Sequence, residues 1–74
     1  MRNMIAYHIV KIGEEPGNQA SDSEAATCYE WSLMKGRDRM EVVAADLLTG
    51  EVTHRYSDLE SEKAANLFRD PKLS

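Results

Sequence analysis

A chain of 74 residues, 42% hydrophobic and 30% charged, has room for a single small domain (1–74) and little space for a deep substrate cleft beside its core. No apolar run approaches the ~18 residues a membrane span needs, and the first residues lack the pattern of a secretory signal. The lone cysteine, Cys28, excludes an internal disulfide and fits a reducing, cytoplasmic compartment.

The formal charge of −4 is unevenly placed. Residues 1–34 carry −3 and residues 40–74 carry −3, whereas Lys35, Arg37 and Arg39 against Asp38 give 35–39 a charge of +2. An acidic body with one short basic knuckle offers few of the phosphate contacts that general nucleic-acid affinity needs.

Residues 4–12 are β-branched and aromatic on both parities, which predicts a strand covered on both sides. Gly13, Pro16 and Gly17 stop it, and residues 13–20 read as an exposed acidic loop. Ser21 stands three positions before Glu24, the spacing of a capping box, and predicts a helix start. Ala25, Cys28, Tyr29, Ser32 and Leu33 then fall on one helical face, with Lys35 and Gly36 at the stop. A rival reading makes residues 28–34 a strand. It gives a four-stranded antiparallel meander with one C-terminal helix, at the cost of a structureless loop of about fifteen residues.

Residues 39–46 alternate as a strand, and the run from Asp46 to Gly50 is a hairpin turn. The returning strand sets Val52, His54 and Tyr56 against Glu51, Thr53 and Arg55. Ser57 and Glu60 repeat the capping-box spacing. The helix they open carries Leu59, Ala64, Leu67 and Phe68 on one side and ends near Arg69, before a frayed tail at 71–74. The expected fold is α+β, a small three-stranded sheet with two helices in the order β-α-β-β-α. Its expected core is Ile5, Tyr7, Ile9, Tyr29, Leu33, Val42, Ala44, Val52, Leu67 and Phe68. Two helices need not cover both faces of such a sheet, so a homodimer that buries the spare face or pairs edge to edge is expected.

No motif for a metal, a cofactor or a phosphate cradle is present, and no catalytic residue is assigned. His8 and His54 lie on different strands from which they could approach across the sheet, and a Cys28–histidine pair is the one conceivable catalytic centre. The expected contact surface is Trp31, Met34, Lys35, Arg37 and Arg39, with Trp31 at the rim of the buried helix face. Trp, Met and Arg are the residues that interfaces favour. The sequence thus reads as a non-enzymatic, intracellular protein–protein interaction module, an accessory, regulatory or inhibitory factor. Binding of RNA or single-stranded nucleic acid through the knuckle and Arg55 is one alternative, and a small Cys/His enzyme is another.

Overall fold

The computed structural model describes residues 4–17 and 20–69, so the expected tail at 71–74 lies outside the described residues. Strand β1 (Ile5–Lys11) leads to helix α1 (Glu24–Leu33) and a single 3-10 turn (Arg37–Arg39). Strands β2 (Met40–Asp46) and β3 (Val52–Arg55) and helix α2 (Asp58–Arg69) complete the chain. The order β-α-β-β-α holds, and the strands form one antiparallel sheet, β1-β2-β3. Residues 28–33 are helical, which removes the four-stranded meander.

The hairpin forms as its residues dictate. The Asp46 carboxylate accepts from the backbone N–H of Leu48 at 2.7 Å and of Thr49 at 3.3 Å. Gly50 takes a φ of +75°, open to glycine without the Cβ penalty. The second capping box is also present, with Glu60 N–H donating to Ser57 Oγ at 3.2 Å and Ser57 N–H to Glu60 Oε1 at 2.9 Å.

The first capping box does not form. Ser23 is the N-cap, its Oγ accepting from Ala26 N–H at 3.1 Å, and Ser21 Oγ instead accepts from Ser23 N–H. The reason is tertiary: Ser21 and Tyr7 exchange backbone hydrogen bonds of 2.8 and 3.0 Å. That bridge holds Ser21 extended against β1, so helical geometry starts only after it.

Both helices lie on the sheet face that carries Tyr7, Ile9, Val42 and Ala44. The seam between them is made of Cys28 and Trp31 from α1 and Ala64 and Ala65 from α2, packed on Val42. Small side chains let the helix axes approach closely, and Ser61 is buried with them. The periodicity placed Cys28, Tyr29 and Ala64 correctly on the inner faces and misplaced the larger aliphatic and aromatic residues at the helix ends. Leu33, expected in the core, is 65% exposed, and Leu67 and Phe68 are about half exposed. Thr27, Trp31 and Ser61 take the interior instead.

A register shift between Ala44 and Ala45 corrects the third strand. His54 stands opposite Ala44, while Val52 stands opposite Ala45, so the bulge turns Val52 to the face away from the helices.

That second face carries Ala6, His8, Val10, Val43 and Ala45, all buried without a helix above them. The loop after β1 runs along this face, Pro16 and Gly17 lining a hollow of about 250 Å³ together with Ala6, His8 and Ala45. Gly13 N–H donates to Glu41 Oε2 at 2.8 Å, Arg55 donates to the same carboxylate, and Arg55 also reaches the Glu14 carbonyl at 3.4 Å. The 13–17 segment is the exposed acidic loop expected, and these hydrogen bonds tether it as a strap.

Candidate functional site

The basic knuckle sits where β1 ends, α1 stops and the 3-10 turn begins. Gly36 makes the change of direction possible at a φ of +76°, and its carbonyl accepts from Arg39 N–H at 2.9 Å. Around this turn Lys11, Ile12, Met34, Lys35, Gly36, Asp38, Arg39 and Met40 line an open hollow of about 640 Å³. Lys11 arrives there because the β1–β2 register places it opposite Met40.

Three cations and one carboxylate give the lining a formal charge of +2. Among the described residues, none of Lys11, Lys35 and Arg39 has a carboxylate within ion-pair distance. The floor is apolar and of two kinds. Met40 packs against the core, whereas Met34 is 37% exposed and Ile12 60% exposed. Thioether side chains adapt to irregular partner surfaces.

Of the five residues expected at the contact surface, Met34, Lys35 and Arg39 meet in this hollow. Trp31 does not line it: the ring is 2% exposed, a correction to its expected place at the rim. Its indole N–H lies 3.1 Å from the Arg37 carbonyl and 3.2 Å from that of Met40, spanning both ends of the 3-10 turn. Trp31 is thus a pillar under the knuckle, and an indole buried this deeply takes partners for its N–H. Arg37 also points away from the hollow. Its guanidinium lies 5.1 Å over the Trp31 ring and 2.8 Å from Glu62. The sequence reading missed Lys11, Ile12 and Met40, whose approach depends on strand register. The available signal was the lysine that ends the apolar run of β1.

A second concentration of titratable groups lies where the starts of the two helices meet. Tyr56 Oη donates to Glu24, His54 Nε2 lies 2.9 Å from Glu60 Oε2, and the Tyr7 and Tyr56 rings meet edge to face at 6.4 Å. Burial first, then the Glu24 hydrogen bond and charge, raise the Tyr56 phenol above its ordinary value. Burial and the neighbouring Glu24 charge raise Tyr7 as well. Hydrogen bonds from Ser57 and then His54 lower Glu60.

Burial, with Glu24 second, pushes the Cys28 thiol up to about 11, against the pull of its hydrogen bond with Ser61. A fully buried thiol shifted in this direction is packing material and a poor nucleophile. Iodoacetamide at pH 7.5 should leave Cys28 unmodified in the folded protein while a urea-unfolded control reacts; equal rates would contradict the packing. The unfolded thiol ionises near 9.0 and the folded one near 11. Protons are therefore lost from the unfolded chain first, and stability falls as pH rises from about 9 to 11. Tyr7 and Tyr56 add to this fall with the same sign.

The two histidines do not approach each other. His54 sits on the helix face beside Tyr56, and His8 on the strap face beyond β2. His8 Nδ1 is buried with no hydrogen-bond partner among the described residues. Replacing it with an apolar group removes an uncompensated desolvation cost, so His8→Leu should raise stability by about 1 kcal/mol in urea unfolding. A loss of stability would show that the imidazole has a partner. Among the described residues no group of three or more His, Cys, Asp or Glu side chains is placed to hold a metal ion. Likewise, no helix is long and apolar enough to cross a membrane.

Compared with protein-family models, curated proteins and solved structures, the chain matches none.

Proposed function

We propose that this protein is a non-enzymatic protein–protein interaction module, an accessory or inhibitory factor that engages its partner through the hollow at the end of the sheet. The observation that carries this reading is the hollow itself. Lys11, Lys35 and Arg39 surround an exposed floor of Ile12 and Met34, without carboxylate partners among the described residues, on a chain of net charge −4. Met34 and Arg39 are of the types that protein interfaces favour, and Lys11 and Lys35 supply the charge of a polar rim. Of the groups with perturbed protonation, Cys28 and Tyr56 are tied into the helix packing, which weighs against a reaction centre built on them.

Nucleic-acid binding has less to support it. Trp31, its expected stacking ring, is buried. Arg55 is paired with Glu41 on the strap face, whereas Lys11 shares the helix face, so the two cannot form one phosphate track.

The test is comparative capture from native lysate with wild type, Lys35→Glu/Arg39→Glu and Lys63→Glu. Lys63 is exposed on α2 and serves as the charge control. The expected outcome is that bound proteins disappear with the double variant and persist with Lys63→Glu. Retention of the same proteins by the double variant would remove the hollow from the contact surface.

A further inference from the structure

We infer that the hollow recognises an acidic–apolar segment of a partner protein, in which an apolar side chain lies on Ile12, Met34 and Met40 and flanking carboxylates meet Lys11, Lys35 and Arg39. This rests on the interaction reading above and adds the chemistry of the partner.

Charge complementarity gives the direction. Outside 35–39 the chain carries −3 on each side, so an acidic segment is repelled over most of the surface and attracted at one place. Within that place Asp38 is the lone carboxylate of the lining, and three cations outnumber it. A cationic partner meets the opposite landscape and is drawn to the acidic body instead.

The apolar floor sets the second requirement. Desolvating Met34 and Ile12 rewards an apolar group, which a purely anionic ligand such as a phosphate chain does not supply. Among the lining residues there is no aromatic ring on which a base could stack. A volume of about 640 Å³ suits a few side chains of an extended segment. The two sides of the floor also differ in rigidity. Met40 is fixed by core packing and by the Trp31 hydrogen bond to its carbonyl, while Met34, the C-cap of α1, has an exposed side chain.

The experiment is an NMR titration of the full chain, following the methionine methyls and the backbone amides of residues 34–40. Four probes are compared: a short peptide with leucine flanked by aspartates, its asparagine counterpart, its serine-for-leucine counterpart, and an oligothymidylate. The leucine–aspartate peptide should shift the Met34 and Met40 methyls and the Lys35 and Arg39 amides. Each of the other two peptides should bind about tenfold more weakly. Lys35→Glu/Arg39→Glu should weaken the first peptide by about tenfold, and Lys63→Glu by less than about twofold.

Equal binding of the asparagine or serine peptide, the absence of any shift at millimolar peptide, or tighter binding of the oligothymidylate would each overturn the inference. If the lysate partners depend on Lys35 and Arg39 while the acidic peptide does not bind, the partner chemistry fails and the interaction reading stands. If those partners are indifferent to both residues, the interaction reading itself fails.

Discussion

Replacing Trp31 with phenylalanine should lower the unfolding free energy by about 2–3 kcal/mol, measured by urea unfolding with the slope unchanged. Two effects combine. Phenylalanine leaves unfilled volume beside Cys28, Val42 and Ala65, side chains too short to swing in and fill it. It also withdraws the N–H that bonds the Arg37 and Met40 carbonyls, which brace the 3-10 turn. The larger change, Trp31→Ala, costs about 3–5 kcal/mol and should unfold a domain of this size at ambient temperature. Because the indole supports the knuckle from beneath, Trp31→Phe should also broaden the amide signals of residues 35–39 relative to α2. A loss below about 0.5 kcal/mol would mean that the ring contributes neither packing nor hydrogen bonding of consequence.

The second large effect belongs to the strap. Glu41→Gln keeps the shape of the side chain but takes the charge away from Arg55, whose remaining carboxylate, Glu15, is 3.8 Å away and exposed. Arg55 is about one-third exposed, so the cost falls below that of a fully buried broken pair, at about 1–2 kcal/mol. Glutamine can still accept from Gly13 N–H through its amide oxygen, so the loss reports mainly the ionic contact. Hydrogen exchange should accelerate at Gly13 and Glu14 more than in α1 or α2, since the strap opens without the helices. Uniform acceleration across the molecule would show instead that strap and helices open together.

The parts of the fold that were legible in the sequence are those fixed by neighbouring residues. Asp46 and Gly50 determine the hairpin, and Ser57 with Glu60 the start of α2, because each acts through hydrogen bonds or dihedral angles a few positions away. What escaped depends on distant partners. Ser21 has the right spacing for a cap, yet its bridge to Tyr7, fourteen positions earlier, holds it extended. Leu33 and Phe68 look like core by hydropathy, but Trp31 and Cys28 fill the space against Ser61 and the two alanines, which leaves Leu33 and Phe68 towards solvent.

The candidate site divides in the same way. Lys35 and Arg39 stand out as a local run of charge, and Met34 belongs to the same turn. Lys11 joins them only through strand register, and the part played by Trp31 is set by carbonyls six and nine residues further on.

The narrow seam between the helices also shapes which substitutions a lineage can accumulate. Ala64, Ala65 and Ser61 tolerate neither growth, which would wedge the helices apart, nor much shrinkage, since they are already small. Leu59 and Leu67 are open to wider replacement because solvent reaches them, whereas Phe68 keeps its ring against Tyr29. Divergent sequences with this architecture should therefore be recognisable by small residues at the spacing of Ser61, Ala64 and Ala65 in the final helix, and not by its leucines.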